Sequence, residues 1–564
     1  MSKRSHSPGF LPPAKRFHAL EPLLTQHGAH LSFDRLLYDE LILVIFSYFS
    51  WGELCSTQSV SKNWARLAGD NEIWRRLYLK EFGRTRLRGS KGFFVRKDGR
   101  EVKPLPGRAR NDLYKDWKWM FRISSNWRRG RCLVEDTGDS FSGFDSSVET
   151  NYPVHVGDGA THVVLAGPLT ITASSQPSDR PAISIFDRHN QRNNLVYEPQ
   201  EARLRRITAL ALDQSPPDSG QLSLGCFLST NEFSLFAFNA AEPSLFTRTL
   251  TYRPPRRRSS DSFVTQAAYY HPLVVTLSNT FVLSIYDLAS DVIRLTQTLS
   301  AITCYPPTSL VLSSPSTTQF KLVVGYATPV YPRHWSVGST ELMITKLGGS
   351  STSISTQLGL SPSLAFQEEF RHSLGPTMMV TSSRTIRAFD TPNVWLDTSA
   401  MQAMREQWGR KLLTVAATQT DGKWVVLAPG NNLNDAHDQP SGLTPSSSTL
   451  SSFQSPTGLQ LYRLVLPTIS NSVSAPLPKL NFVRTLHGQS SAASALALAD
   501  GRCVSLGENG SIWVWDLEAG SGAEVASGDE SLTGPGPQRG TVTFDERRIV
   551  SASAGKVVVR RFDI

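Results

Sequence analysis

Asn509-Gly510-Ser511-Ile512-Trp513-Val514-Trp515-Asp516 is the stretch that decides how this chain is read. Asn-Gly suits a tight hairpin, and the alternating run after it, Ile512 to Trp515, reads as a strand with one face buried. Upstream, Ala495-Leu496-Ala497-Leu498 alternates in the same way, after Leu486-His487-Gly488-Gln489. From Gly130 onward the texture is the same throughout: short alternating runs separated by Ser, Pro, Asn and Gly clusters, the mark of many short strands.

Aligning those runs by their ends exposes a repeat. The closing pairs are Phe186-Asp187, Phe238-Asn239, Tyr286-Asp287, Thr345-Lys346, Phe389-Asp390, Tyr462-Arg463, Trp515-Asp516 and Phe562-Asp563. They are spaced by 52, 48, 59, 44, 73, 53 and 47 residues, somewhat above the ~40 to 45 of a four-stranded propeller blade. Alternation places one set of side chains between neighbouring blades, which is how a propeller buries its sheets. The pattern predicts a β-propeller of eight blades, or seven if one unit is an insertion. Because Ile564 follows the third strand of the last unit, the outer strand of that blade is expected from Gly130 to Val134. Such a pairing removes two exposed edges.

The unit from Leu486 to Asp516 resembles a WD repeat. Where that family has Gly-His, Gly488 is followed by Gln489, so the His-centred hydrogen-bond network of the family is not expected in this blade. The other units are similar to the family only in period and closing pair.

Ahead of the repeats, from Phe33 to Gly83, the pattern is helical. Leu37, Leu41, Val44, Ile45 and Phe49 recur at spacings of three and four, predicting a helix from about Leu36 to Phe49. Ser50-Trp51-Gly52-Glu53 has the form of a capping box and starts a second helix with Leu54. A third holds Trp64 and Leu67; Asp70 can cap a fourth with Ile73, Trp74, Leu77 and Tyr78, and Gly83 is expected to stop it. A core this thin stabilises itself poorly, so the unit is expected to dock on something.

The segment from Leu36 to Tyr78 resembles an F-box, carried by Leu37, Glu40-Leu41, Ile45-Phe46, Tyr48-Phe49, Leu54, Val60-Ser61, Trp64 and Trp74. Tyr38 stands where that family usually has Pro. The resemblance implies docking on a Skp-family adaptor, and through it on the cullin-RING core of an SCF ubiquitin ligase. The expected adaptor-binding residues are Leu37, Leu41, Ile45, Phe46, Phe49, Leu54, Val60, Trp64 and Trp74. F-box proteins with WD repeats also often carry Asn-Trp-x-x-Gly at the junction, here Asn126-Trp127-Arg128-Arg129-Gly130.

The fold class is therefore multidomain, α plus all-β: a tail at 1–30, an F-box domain at 31–83, a basic aromatic linker at 84–130 and a WD-repeat-like propeller at 131–564. The net charge of +10 is unevenly spread. Arg84 to Arg131 holds 16 basic and 4 acidic residues, interleaved with Phe93, Phe94, Tyr114, Trp117, Trp119, Phe121 and Trp127. Cations alternating with rings suit a nucleic-acid groove. They equally suit a connector whose aromatics anchor on a neighbouring domain, and that reading is preferred. The alternative is a nuclear scaffold that binds nucleic acid through 84–131.

Catalytic chemistry is not legible. No phosphate-binding Gly-rich loop, nucleophile elbow or zinc helix is present in the sequence. The five cysteines lie at least 70 residues apart, without metal-ligand spacing, and Cys503 is expected as a buried, inert thiol. No catalytic residue, metal or cofactor is expected. The longest apolar run, Leu41 to Phe46, is six residues, too short to span a bilayer, and no secretory signal is expected. Lys3-Arg4 with Lys15-Arg16 forms a weak two-part nuclear-import pattern, so nucleus and/or cytoplasm is the expected location.

What remains is binding. In relatives that recognise phosphorylated substrates, arginines on one propeller face grip the phosphate, with a bidentate geometry lysine cannot copy. Position within the units nominates Arg206, beginning a first strand, and Arg384, in the turn before a third strand. Loops at 431–458, 519–540 and 254–262, the last with Arg256-Arg257-Arg258, read as grafted on the ring. The chain is expected to be a non-catalytic substrate receptor of an SCF-type ligase. Its target protein is not named by the sequence, nor whether that target must be phosphorylated.

Overall fold

A computed structural model describes residues 36–86, 116–136, 161–187, 192–196, 204–216, 221–240, 242, 246–254, 262–290, 292–300, 305–330, 334–347, 377–389, 398–430, 455–467, 478–528, 540–553 and 556–564. The chain divides into two compact units, Met1–Leu77 and Tyr78–Ile564.

In the first unit, α1 (Asp39–Phe46), α2 (Trp51–Thr57), α3 (Lys62–Ala68) and the start of α4 (Asn71–Arg86) follow one another with short connections. Helix α1 begins later than its apolar spacing suggests, because Tyr38 is extended, at φ −68° and ψ 151°, and offers no side-chain cap. Asp39 and Glu40 in its first turn complement the helix dipole instead. The capping box of α2 is formed: the Ser50 N–H donates to Glu53 Oε2 at 2.7 Å and the Glu53 N–H to Ser50 Oγ at 3.4 Å. Ser61 Oγ accepts from the Trp64 N–H, and Asp70 Oδ1 accepts from the N–H groups of Glu72 and Ile73. Gly83 does not stop α4, which continues to Arg86. A single glycine costs a helix only about 1 kcal/mol relative to alanine.

In the second unit, seven four-stranded antiparallel sheets form the propeller. Six blades span 161–196, 207–252, 264–300, 305–387, 415–486 and 493–526. The seventh joins strands Thr541–Phe544, Arg548–Ser553 and Lys556–Arg561 to Leu133–Asp136 as its outer strand, with Leu133 opposite Arg561 and Asp136 opposite Val558. The ring thus closes as expected from the sequence, but with seven blades rather than eight. Thr345-Lys346 ends the third strand (His334–Leu347) of the fourth blade, and Phe389 follows its fourth strand (Thr377–Arg387). Two closing pairs therefore belong to one blade. The described residues between 388 and 414 hold a helix, Thr398–Gly409, and among them there is no strand of a further unit.

Each interblade layer is apolar. Ile171, Ile185, Leu224 and Phe238 pack between the first two blades, and Val504, Ile512, Ile549 and Phe562 between the last two. Polar bolts add to the closure. Arg548 donates to the carbonyls of Pro168, Gly167 and Leu169 at 2.9–3.0 Å, and to Asp545 Oδ2 at 3.0 Å, tying the last blade to the first.

The segment expected as a linker is in part structured. Helix α5 (Trp117–Arg129) is capped by Asp116, whose Oδ1 accepts from the Trp119 N–H, and ends at Gly130 in the left-handed conformation, φ +66°. A Cβ on Gly130 would lie 2.0 Å from the Glu524 carbonyl oxygen, so two constraints select glycine there.

Candidate functional site

Two surfaces drew the sequence reading: the apolar residues of the small helical unit and the arginines of the propeller. In the helical unit, Ile42, Phe46, Leu54, Leu67, Ile73 and Trp74 are buried. Phe46 contacts the rings of Phe49 and Trp64, with centroids at 5.3 and 5.5 Å, and the Trp74 indole N–H donates to the Ala68 carbonyl at 2.8 Å. Of the nine residues expected to bind an adaptor, Phe46, Leu54 and Trp74 are therefore spent on this unit's own core. Leu37, Phe49 and Trp64 are half-buried. Leu41, Ile45 and Val60 are exposed.

Helix α1 is apolar on both sides. Ile42 and Phe46 point inward, while Leu41 is 50% and Ile45 37% exposed. Val44, Tyr38, Tyr48 and Trp51 are also exposed, and the sequence reading did not place these four among the binding residues. For Val44 the signal that could have found it is the continuity of the run LILVIF, residues 41–46, since a helix with one buried face does not need apolar residues at consecutive positions. Polar groups frame the surface. Arg66 pairs with Asp39 at 2.5 Å, and hydrogen bonds from the Ser50 backbone and hydroxyl hold the Glu53 carboxyl below its usual range.

The two arginines nominated on the propeller are not brought together. Arg206 lies at the start of the second blade, with its guanidinium 4.5 Å from the Phe263 ring centroid and its backbone N–H donating to Ser229 Oγ. Arg384 is not in a turn but in the outer strand of the fourth blade. Its Nε donates to Glu341 Oε2 at 2.6 Å and its Nη1 to the Pro467 carbonyl at 2.8 Å, so its fork is already occupied within the chain.

The basic aromatic segment resolves in the same direction. Trp117, Phe121 and Trp127 are buried, against Tyr78, Phe82 and Phe562 respectively, so these rings cannot stack on bases. Phe93, Phe94 and Tyr114 lie outside the described residues, as do the N-terminal basic pairs and residues 255–261, 431–454 and 529–539. The start of the loop expected at 519–540 is instead a strand, Ser521–Ala526, the outer strand of the sixth blade. In the WD-like blade the Trp515 indole N–H donates to Ser505 Oγ at 3.2 Å, while both ends of the Gln489 amide are buried without a hydrogen-bond partner. Cys503 is fully buried, and that burial pushes its thiol up. Among the described residues no group of three or more His, Cys, Asp or Glu could hold a metal ion, and no helix is long and apolar enough to cross a membrane.

A family model described as the beta-propeller of F-box protein pof12 matches residues 184–546, more than half of the chain. The chain belongs to that family. A second model, F-box-like, matches residues 39–80 of this F-box propeller protein. Among curated relatives, the probable E3 ubiquitin ligase complex SCF subunit sconB of Arthroderma benhamiae is 28% identical over 123 residues, covering 18% of each chain. An F-box protein of Saccharomyces cerevisiae is 27% identical over 124 residues, covering 20% of this chain and 19% of the yeast protein. The chain thus spans about a fifth of the length of the curated relatives it matches. Among solved structures, the WD40 beta propeller domain of Doa1 matches 72% of this chain and 94% of that one, with 13% identity and a TM-score of 0.33.

Proposed function

We propose that this F-box propeller protein is a substrate-recognition subunit of an SCF-type ubiquitin ligase. A Skp-family adaptor docks on the outer face of α1, the cullin-RING core follows through that adaptor, and the propeller holds a target protein. The reading assigns the chain no catalysis of its own. The observation that carries it is the exposed stripe of Leu41, Val44 and Ile45 on a helix whose opposite side, Ile42 and Phe46, already fills the core. Covering such side chains recovers roughly 1.5–3 kcal/mol for each one fully buried. A unit of this size has little stability of its own with which to offset their exposure. The names of the sconB relatives, subunits of SCF complexes, support the same reading.

Co-purification tests it. The full chain is expected to retain a Skp-family adaptor and cullin on a column, and Leu41→Asp is expected to lose both while keeping its helical circular dichroism. Retention unchanged by Leu41→Asp would refute the docking face. Arg206 remains a candidate contact for an anionic group on the target, since its guanidinium is not paired with a carboxylate in the described structure. Arg384 has its donors engaged, and its substitution is expected to act on stability instead.

A further inference from the structure

Helix α6 (Thr398–Gly409), in the connection between the fourth and fifth blades, is built unlike the helices before it. Each of α1 to α5 buries at least one apolar side chain, whereas no described side chain of α6 is buried. Its C-terminal end is tied to the ring. The Trp408 ring meets Phe389 with centroids 5.5 Å apart, and the Arg410 carbonyl accepts from Gln460 Nε2 at 2.8 Å. Just beyond, buried Leu412 exchanges backbone hydrogen bonds with Trp335 at 2.7 and 2.8 Å.

A helix shorter than about 12–15 residues is marginal in water unless an amphipathic face is packed. Helix α6 has such a face and leaves it open. Gln402, Ala403 and Gln407 are good helix formers, but helix formation does not call for Met401, Met404 and Trp408. With Arg405 these stand at i, i+3, i+4 and i+7, along one stripe. Met401 is 44% and Trp408 37% exposed. Thioether side chains adapt to varied contours, and the spacing is that of a helix laid against an apolar groove.

Charge decides what the stripe faces. Residues 132–564 carry 32 Lys and Arg against 36 Asp and Glu, so the ring as a whole is not basic. From Thr398 to Leu413 there are three cations and one carboxylate, Glu406, which pairs with Arg410 at 3.4 Å. Arg405 and Lys411 have no carboxylate partner among the described residues. Arg405 lies within the stripe, and Lys411 Nζ stands 3.7 Å from the Trp408 ring centroid. A second copy would set like charges against each other, and a helix about 18 Å long offers far less than the ~800 Å² per partner of a stable interface. The side opposite the stripe, Ser399, Gln402, Ala403 and Glu406, carries no cation, unlike a membrane-surface helix.

We propose that α6 is a docking helix for the target held by the propeller, and that the matching surface of the target is an apolar segment bordered by Asp or Glu. The proposal rests on the reading above in which the ring holds a target protein. The stripe supplies the buried contact, while Arg405 and Lys411 favour carboxylates at its border and reject cations.

Fluorescence polarisation tests it with the full chain and two labelled peptides about as long as α6, one of Leu-Leu-Glu-Glu repeats and one of Leu-Leu-Lys-Lys repeats. The acidic peptide is expected to bind saturably, at least about ten-fold tighter than the basic one. Met401→Glu and Arg405→Glu, both at exposed positions, are each expected to weaken it about ten-fold without moving the melting temperature. Arg405→Glu combined with Lys411→Glu is expected to invert the preference between the peptides, which a purely structural helix would not do. No binding of the acidic peptide, equal affinity for both peptides, or affinity unchanged by Met401→Glu and Arg405→Glu overturns the proposal. Binding to phosphatidylserine vesicles that Met401→Glu abolishes, in place of peptide binding, also overturns it and makes α6 a membrane-surface helix. Adaptor co-purification on the same samples separates the two readings. Its absence in the wild type with peptide binding intact refutes the ligase assignment, and its presence with no peptide binding refutes the docking role of α6 alone.

Discussion

Trp127 stacks on Phe562, with ring centroids 4.1 Å apart and planes 14° from parallel. The indole N–H donates to the Glu546 carbonyl, and Asn126 Nδ2 donates to the Phe562 carbonyl at 2.8 Å. The end of α5 is thereby pinned to the seventh blade just beyond its strand Lys556–Arg561 and at the turn before its strand Arg548–Ser553, ahead of the closing strand Leu133–Asp136. The Asn-Trp-x-x-Gly signature is thus a joint: Asn and Trp grip the seventh blade, and Gly makes the left-handed turn that lets the chain enter it.

Trp127→Ala is expected to destabilise the propeller by about 3–5 kcal/mol, the range for large-to-small aromatic substitutions in a core. The loss should appear in the denaturant midpoint of the second unit. A change below about 1 kcal/mol would mean that the joint does not hold the ring. Gly130→Ala should cost at least about 1 kcal/mol, because a left-handed φ and the Glu524 carbonyl both oppose a Cβ.

Glu341 is buried between Lys321, at 2.9 Å, and Arg384. Replacing it with Ala or Gln strands two cations in the fourth blade, and breaking a buried pair in this way costs about 3–5 kcal/mol. Thermal or urea unfolding checks this, and additivity with Arg384→Ala would contradict it, since partners in one network couple.

Gln489 occupies the place where a WD repeat has histidine, and both ends of its amide are buried and unpaired. Removing unmet polar atoms without changing shape is neutral or favourable, so Gln489→Leu is expected to leave stability unchanged or raise it by about 1 kcal/mol. A clear loss of stability would show that the amide is engaged after all.

His162, partly buried in the first inner strand, has Nε2 3.1 Å from the Ile207 carbonyl, so that nitrogen carries the proton and donates across to the second blade. Burial holds this imidazole below its ordinary value of 6.5. The unfolded chain therefore takes up a proton more readily than the folded one, and stability is lost as pH falls below about 6.5. His162→Gln is expected to flatten the acid side of a stability–pH curve between about pH 7 and 5, and an unchanged slope would contradict the assignment.

Much of this was legible from spacing alone. Four helices follow from apolar steps of three and four together with Ser50 and Asp70, because caps and periodicity are local properties. Ring closure by the Gly130 region was legible because a blade ending after three strands needs a fourth. The blade count was not, since the long third strand His334–Leu347 and the chain beyond Arg387 each end in a pattern that imitates a unit boundary. Nor was the inner side of α1: with apolar residues at 41 to 46 in succession, periodicity cannot tell Leu41 from Ile42, and only packing assigns one to solvent and the other to the core. Arg384 was misplaced for a related reason, as its partner Glu341 lies 43 residues away and no local pattern announces the pair.

The most direct test of the account is a calorimetric titration of a purified Skp-family adaptor into the full chain at several temperatures. Saturable one-to-one binding with a negative heat-capacity change, the signature of apolar burial, abolished by Leu41→Asp but kept by Arg384→Ala, is the expected result. No binding, or binding that Leu41→Asp leaves intact, would contradict the claim that the outer face of α1 is a docking surface.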